Sequence, residues 1–317
     1  MKNSILQLFP LECRALWQQA AGRQEYIQEI RLRAGQPVVL HMGGREYFLA
    51  GDGRVTEDCR DACRMDGGTL ERIFQHICHY SPYAFEEELK QGFLTVEGGH
   101  RVGVAGQAVL EPDGSVRTLK NITFLNIRVA HQIKGAADGV LPKIYRGGRL
   151  KNTLIISPPG CGKTTLLRDL IRQISDGNAF GGGMTVGVVD ERSELGGSFM
   201  GRPQNDMGMR TDVLDGCPKA VGMQMLLRSM APEVIAIDEL GSVEELDALR
   251  RAANCGCRIL ATAHGESLEE VQCRFPDGIF GVDRGFWDSF FGLYLVLCRR
   301  NGKCVVKQIL EGGEAIA

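Results

Sequence analysis

The feature that most constrains this chain is a glycine-rich segment between an apolar run and an amphipathic run. Residues 157–165 have the sequence SPPGCGKTT; they follow the apolar run 153–156 and precede residues 166–171, whose apolar side chains have helical spacing. A strand, a glycine-rich turn and a helix in this order form the context that a phosphate-binding loop requires. The sequence therefore predicts that a nucleotide is bound here.

The loop residues suit a triphosphate for separate reasons. Gly160 and Gly162 let the backbone turn its N–H groups inward, where a Cβ atom would intrude. Lys163 supplies positive charge for the β- and γ-phosphates, the Thr164 hydroxyl is a ligand for Mg²⁺, and the following helix adds its positive dipole end. Ser157 stands where a first glycine is usual, which affects only the turn. The predicted nucleotide-binding residues are Pro158, Pro159, Gly160, Cys161, Gly162, Lys163, Thr164 and Thr165.

Length and composition describe an ordinary globular protein. The 317 residues suffice for two domains, and 44% are hydrophobic and 24% charged. A net charge of −2 opposes a protein built mainly to hold nucleic acid. Eleven cysteines, with no secretory leader pattern at the N-terminus, favour reduced thiols in the cytoplasm. No apolar run approaches the roughly 18 residues that span a bilayer.

The pattern along the chain predicts an α+β N-terminal domain over residues 1–140 and an α/β P-loop ATPase domain with a parallel sheet over residues 141–317. In the first, residues 29–33 alternate as a strand, and residues 69–79 have one apolar helix face with Thr69 as N-cap. In the second, strands and helices alternate, which is typical of a parallel sheet. Its predicted strands are residues 153–157, 185–190, 234–238 and 258–263, followed by a hairpin turned by Asn301 and Gly302.

A second acidic site is expected beside the phosphate loop. The apolar run 234–237 ends in Asp238 and Glu239. Asp238, at the end of a buried strand, can hold Mg²⁺ together with Thr164. Glu239 is suited to polarise the attacking water as general base. This pair favours hydrolysis over transfer to a metabolite, and since no N-K-x-D guanine signature is found, ATP is the expected nucleotide.

Four further residues are weaker candidates. His264 ends the next strand and could sense the γ-phosphate, although a lone histidine there is often structural. Glu191 is a rival for the base and Arg192 could neutralise phosphate charge, unless residues 190–192 are a surface turn. Arg228 could act across a subunit boundary as an arginine finger, or cap its own helix.

Five sequence blocks, in their order along the chain, resemble the stage III sporulation protein AA family of endospore-forming bacteria. They are SPPGCGKTTLLRDL, VVDERSE, GMRTDVLDGCPK, LRSMAPEVIAIDELG and ATAHG. Two N-terminal blocks, EIRLRAGQPV and GGHRVGVAGQAV, also resemble that family, so the resemblance covers nearly the whole chain.

This resemblance implies a RecA/AAA-like ATPase similar to the hexameric motors of bacterial secretion and pilus systems, with ATP and Mg²⁺ as ligands. It implies a homo-oligomer, expected to be a hexamer, at the mother-cell face of the forespore membrane. There it would energise a channel of membrane-bound stage III proteins. His264 falls at the His-box position of secretion ATPases. Arg31, Arg33 and Arg101 stand in blocks whose counterparts lend arginines to the nucleotide, although alternating charges usually mark a solvated strand face.

Two alternatives from other classes stay open. The chain could be a nucleic-acid-handling ATPase, although it has no basic tail and a slight negative charge. It could also be a nucleotide-gated assembly scaffold with little turnover.

Overall fold

The computed structural model describes residues 4–275, 284–300, 303–312 and 314–315. The chain forms two compact units: Met1–His131 with Gly197–Met200, and Gln132–Gly196 with Gly201–Ala317. Residues 132–140, predicted with the first domain, therefore group with the second unit. Ala137 and Val140 are buried in the core of that unit, which their glycine-rich surroundings did not indicate.

The first unit is built on a seven-stranded antiparallel sheet in the order β4-β3-β2-β1-β7-β6-β5. Its strands are β1 Ile27–Arg33, β2 Val39–Met42, β3 Arg45–Leu49, β4 Val55–Thr56, β5 Phe93–Val96, β6 His100–Leu110 and β7 Val116–Arg128. Its α-helices are α1 Ser4–Gln7, α2 Arg14–Ala21, α3 Gly67–Ile77 and α4 Glu86–Lys90, and short 3₁₀ helices lie at Leu11–Cys13, Gln24–Tyr26 and Pro82–Phe85.

Alternation and capping explain these elements. In β1, Ile30 and Leu32 are fully buried while Arg31 between them is half-buried, as a sheet with one core face requires. Helix α3 buries the predicted apolar face. The prediction of Thr69 as its N-cap is wrong: Asp66 caps the helix, because its carboxylate accepts the N–H of Thr69 at 2.9 Å.

The second unit is built on an eight-stranded sheet in the order β12-β11-β13-β14-β10-β15-β16-β17. Its strands are β8 Tyr145–Arg146, β9 Arg149–Leu150, β10 Thr153–Ser157, β11 Val186–Asp190, β12 Thr211–Asp215, β13 Val234–Ile237, β14 Arg258–His264, β15 Leu293–Arg300, β16 Lys303–Glu311 and β17 Glu314–Ala315. Its helices are α5 Leu141–Ile144, α6 Lys163–Asp176, α7 Lys219–Ser229, α8 Val243–Asn254, α9 Leu268–Gln272 and α10 Arg284–Phe290. Strands β8 and β9 form a separate hairpin.

Five consecutive strand pairs, from β12 to β15, are parallel. The predicted hairpin extends the sheet with β15 and β16 antiparallel, so the sheet is mixed. The turn predicted at Asn301 and Gly302 lies outside the described residues. Every residue of β10, β11 and β13 is buried, as strands covered on both faces require.

Because these strands are parallel, their carboxyl ends meet at one edge of the sheet, the usual place for ligands in α/β folds. The loop after β10, Asp190 at the end of β11, the residues after β13 and His264 at the end of β14 all lie there. Within the described ranges, no helix combines the length and apolar character that crossing a bilayer needs.

Candidate nucleotide-binding site

The loop between β10 and α6 has the backbone form that its glycines predicted. Gly160 and Gly162 have φ of 72° and 77°, in the left-handed region that favours glycine. Gly162 is the N-cap of α6, so the first N–H groups of the helix face the loop. Ser157 is a buried strand residue and is not among the positive-φ residues, so the loop needs no glycine there. Cys161 is buried, as suits a small side chain that fills interior space.

Lys163, the first residue of α6, is only 5% exposed. Its Nζ lies 3.1 Å from Nε2 of His264 and 3.6 Å from Oε1 of Glu239. The ammonium is therefore aimed at the residues that follow β13 and end β14. A buried ammonium needs such partners, and an anionic phosphate would serve it equally well.

The hydroxyl and carboxylate predicted as Mg²⁺ ligands lie together. Oγ1 of Thr164 donates to Oδ2 of Asp238 at 2.6 Å. The other carboxylate oxygen, Oδ1, accepts hydrogen bonds from Oγ1 of Thr262 and, at 3.1 Å, from the N–H of Glu239. A hydroxyl and a carboxylate are the hard oxygen donors that Mg²⁺ prefers, and the remainder of its shell is normally water and phosphate. The two residues thus fit a Mg²⁺ site.

The Glu239 carboxylate lies among nitrogen-bearing side chains. Oε1 is 2.7 Å from Nε2 of His264, and Oε2 accepts from Nη1 of Arg192 at 2.8 Å. Burial by itself would raise the pKa of Glu239, but the hydrogen bond from His264 and the charges of Lys163 and Arg192 outweigh it. The pKa of this carboxyl is therefore below its usual range. Glu239 therefore stays ionised at neutral pH, which its predicted role as general base requires.

Sequence reasoning missed Lys219, the first residue of α7, which is 8% exposed. Its Nζ donates to the backbone carbonyl of Glu239 at 2.7 Å and lies 3.1 Å from Oε1 of Glu245 and 3.4 Å from Oε2 of Glu191. One signal could have indicated it: a lysine at a helix N-terminus opposes the helix dipole, so nearby acids are expected to compensate it.

Glu191 is more exposed than Glu239, with 39% of its side chain accessible against 22%. The Glu191 carboxylate lies 3.4 Å from Nζ of Lys219, whereas Glu239 contacts the same lysine through its backbone carbonyl. They are not equivalent, because only Glu239 also contacts His264.

The residues after β11 are held to α6. Burial is the largest influence on Asp190 and raises its pKa, although its carboxylate accepts the N–H of Glu194 at 2.9 Å and of Gly196 at 2.7 Å. Nε of Arg168 donates to the carbonyl of Leu195 at 2.7 Å. The sequence did not predict that Asp190 and Arg168 hold backbone groups of residues 194–196, because such contacts depend on the path of the turn.

Arg228 is not brought to this cluster. It lies near the C-terminal end of α7, nine residues after Lys219, and is exposed. At 1.5 Å per residue, this separates the two backbone positions by about 14 Å. In the first unit, Arg31 pairs with Glu29 at 2.8 Å, and Arg101 lies 3.6 Å over the ring of Phe93.

A family model described as "Sporulation stage III, protein AA" matches residues 1–314. Stage III sporulation protein AA of Bacillus subtilis (strain 168) is 42% identical over 285 residues, which make up 90% of this chain and 87% of that protein.

Two solved structures are similar over most of both chains. The ATPase DotB of Legionella pneumophila has a TM-score of 0.60 and 18% identity, covering 95% of this chain and 80% of that one. The pilus retraction motor PilT, with bound ADP, has a TM-score of 0.62 and 17% identity, covering 95% and 82%. At such identities the likeness concerns the fold, which is an α/β ATPase-like fold as predicted.

Proposed function

The chain belongs to the stage III sporulation protein AA family, and from this premise we propose that it is a Mg²⁺-dependent ATP hydrolase that serves sporulation. The observation that carries the proposal is the convergence of a buried lysine, a hydroxyl and two carboxylates at the carboxyl edge of the parallel strands. These residues are Lys163, Thr164, Asp238 and Glu239. A phosphate-binding loop with an acidic pair is the arrangement that phosphoanhydride hydrolysis uses.

Each residue has a distinct role in the proposed reaction. Lys163 and the loop N–H groups hold the β- and γ-phosphates. Thr164 and Asp238 would hold Mg²⁺, which would neutralise charge on the phosphates when bound. Glu239 aligns the attacking water and takes up its proton on a carboxylate oxygen, which its lowered pKa keeps ionised.

His264 and Arg192 act through Glu239 in this proposal. Both contact its carboxylate, at 2.7 and 2.8 Å, so they orient the base and can respond to the γ-phosphate beside Lys163. Glu191 is the reserve candidate for the base, and Arg228, which is exposed near the C-terminal end of α7, would act as an arginine finger from another subunit. The remaining loop residues bind through their backbone.

We further propose that the second unit is a RecA/AAA-like motor that works as a homo-oligomer, expected to be a hexamer. Its partners would be membrane-bound proteins of the sporulation channel, and its place the cytoplasmic mother-cell face of the forespore membrane. Native mass measured with and without a non-hydrolysable ATP analogue tests the oligomer. A monomer under both conditions would contradict catalysis across subunits.

The proposed hydrolysis is tested with two matched substitutions, Glu239→Gln and Glu191→Gln, which make the same chemical change. We expect Glu239→Gln to slow phosphate release by roughly 100-fold or more and to retain bound ATP, because it removes the proton acceptor. Glu191→Gln should slow release by less than about tenfold. The measurements are phosphate release and Mg·ATP affinity.

Two other outcomes would change the proposal. Ordinary phosphate release in the Glu239→Gln protein would transfer the base role to Glu191. A folded wild-type protein without affinity for Mg·ATP would remove the proposed function altogether.

A further inference from the structure

Lys219 is an unusual residue for the place it occupies. It begins α7, where the helix dipole repels a cation, and it is 8% exposed. A buried ammonium at such a point is strongly unfavourable unless all its N–H groups find acceptors. Lysine is therefore a poor choice at this position on local grounds, which points to a specific role.

Three oxygen atoms surround the ammonium, one through a hydrogen bond and two through ion pairs. They belong to the carbonyl of Glu239 at 2.7 Å, to Glu245 at 3.1 Å and to Glu191 at 3.4 Å. The shortest contact is to a main-chain carbonyl rather than to a carboxylate. Lys219 thus holds the backbone of Glu239 and leaves its side chain to other partners.

The backbone of Glu239 requires such support. Its φ is 57°, in the left-handed region that side-chain-bearing residues rarely adopt. Its N–H donates to Oγ1 of Thr262 at 2.8 Å, and its carbonyl accepts from Lys219. The next N–H, of Leu240, donates to the carbonyl of Thr262 at 2.7 Å. The strained residue is therefore held from both sides.

Glu245 completes the arrangement. While Oε1 of its carboxylate faces Lys219, Oε2 accepts the N–H of Gly241 at 2.9 Å. Its own N–H is capped by Ser242 at 3.3 Å. Residues 239–241 are consequently hydrogen-bonded to the first turn of α7 through Lys219 and to the first turn of α8 through Glu245.

We infer that Lys219 is a positioning residue: its buried ammonium holds the main chain of Glu239 in the left-handed conformation and thereby aims the Glu239 carboxylate at the phosphate loop. This inference rests on the proposed hydrolytic function for its consequence in turnover. We call the hydrogen bond from Lys219 to the carbonyl of Glu239 the backbone clamp, and its presence can be tested without measuring turnover.

The clamp is measured by amide hydrogen exchange in wild type, Lys219→Met and the matched control Lys307→Met. Lys307 is exposed on β16, and three strands separate β16 from β13, the strand that precedes Glu239. Lys219→Met keeps the length of the stem and removes all three donors. We expect exchange at residues 239–241 to accelerate roughly tenfold or more in Lys219→Met only, because the turn loses a main-chain anchor.

Turnover separates positioning from a purely structural role. Lys219→Met should lower kcat by about 10- to 100-fold while the affinity for ATP changes by less than about threefold, since a misplaced base affects the chemical step. In a Glu239→Gln background, Lys219→Met should add almost nothing, because its effect passes through Glu239. Lys219→Arg, which keeps a cation, should recover part of the lost kcat, and it serves as the test if the Met variant does not fold.

The two possible failures are distinguishable. A wild-type protein without turnover contradicts the proposed function, and exchange alone then decides the clamp. Wild-type exchange at residues 239–241, or wild-type kcat, in Lys219→Met overturns the inference on Lys219 while the proposed function stands. Equal losses of kcat in the wild-type and Glu239→Gln backgrounds also overturn it.

Discussion

The first unit spreads its charged residues along its sheet, whereas the second collects them where its strands end. In β1, Arg31 and Arg33 alternate with buried Ile30 and Leu32 and contribute to the polar face of an antiparallel sheet. In the second unit, β10, β11 and β13 are buried throughout, so charged side chains appear at or after their last residues.

This difference has a physical cause. An antiparallel sheet with one covered face leaves every second residue free to meet water. A parallel sheet covered on both faces has no such positions, and its polar groups can only lie at its edges. Charges concentrated in this way are partly desolvated, interact strongly and can do chemistry, whereas charges spread over a face are screened by solvent.

The largest expected effect concerns the buried lysine of the loop. Lys163→Ala should weaken Mg·ATP binding by about 100-fold or more, because it removes a desolvated charge that the phosphates would contact directly. Equilibrium binding of a fluorescent ATP analogue measures this. The matched change in the first unit, Arg31→Ala, should leave the affinity within about twofold. Equal losses in both variants would mean that charge concentration does not distinguish the two units.

The contrast between buried parallel strands and half-exposed antiparallel strands also explains which parts of the structure the sequence predicts. Strands β10, β11, β13 and β14 were predictable, since apolar runs that end in polar residues are a local signal. The same signal indicated that Lys163, Thr164, Asp238 and Glu239 would lie close together, and they do. Strand β12 was not predicted, because its residues are almost all half-buried and carry two aspartates, so no continuous apolar run marks it.

The remaining part of the site depends on contacts far apart in sequence. Lys219 meets Glu239 across 20 residues, and Lys163 meets His264 across 101. Strand order decides such contacts, and periodicity within a strand contains no information about its neighbours. Thr262 is similar: a buried threonine inside a strand gave no sign that it holds Asp238 and Glu239.

The next effect concerns a buried histidine in the first unit. Burial lowers the pKa of His100 from 6.5 to about 4. Its Nδ1 accepts the N–H of Ala130 at 3.0 Å and its Nε2 faces Oγ of Ser4 at 2.9 Å, so the neutral ring is already paired. The folded state resists a proton that the unfolded chain accepts, so stability is lost as pH falls from 6.5 towards 4. Between about pH 7 and about pH 5 the free energy of unfolding should fall by about 2 kcal/mol from this residue.

The two tryptophans make this measurable, because Trp17 lies in the first unit and Trp287 in the second. In a Trp287→Phe background, denaturant titrations followed by Trp17 fluorescence report the first unit. His100→Gln should be less stable at both pH values but should lack the slope between them. A slope that persists in His100→Gln would assign the acid sensitivity to other groups.

Asp190 makes the opposite contribution in the second unit. Burial raises its pKa, so the folded state binds a proton more readily than the unfolded chain just above pH 3.8. Its share of stability is therefore greatest at low pH and is lost as pH rises through the folded pKa. Denaturant titrations followed by Trp287 fluorescence in a Trp17→Phe background should accordingly show no loss of stability from Asp190 as the pH falls.

A smaller effect is expected at the cap of α8. Ser242 accepts the N–H of Glu245, and its removal leaves that donor without its cap. Ser242→Ala should lower the free energy of unfolding reported by Trp287 by about 1 kcal/mol. Because Glu245 also contacts Lys219, the same variant should speed hydrogen exchange at residues 239–241. Ser267→Ala, the equivalent change at α9, is the control: it should cost a similar free energy without that local effect.

The smallest effect concerns the arginines of the first unit. The pair of Arg31 and Glu29 is partly exposed, with 39% of the arginine side chain accessible, so solvent screens it. Arg31→Ala should therefore change the free energy of unfolding by only about 0.5 kcal/mol, and Arg101→Ala, which loses its contact with the Phe93 ring, by about as much.

If these residues also reach a nucleotide held by another subunit, both variants slow turnover by about threefold or more with little change in affinity for ATP. Phosphate release distinguishes the two cases, because an arginine that serves only the sheet face leaves it unchanged. Wild-type turnover in both variants would confine the proposed chemistry to the second unit.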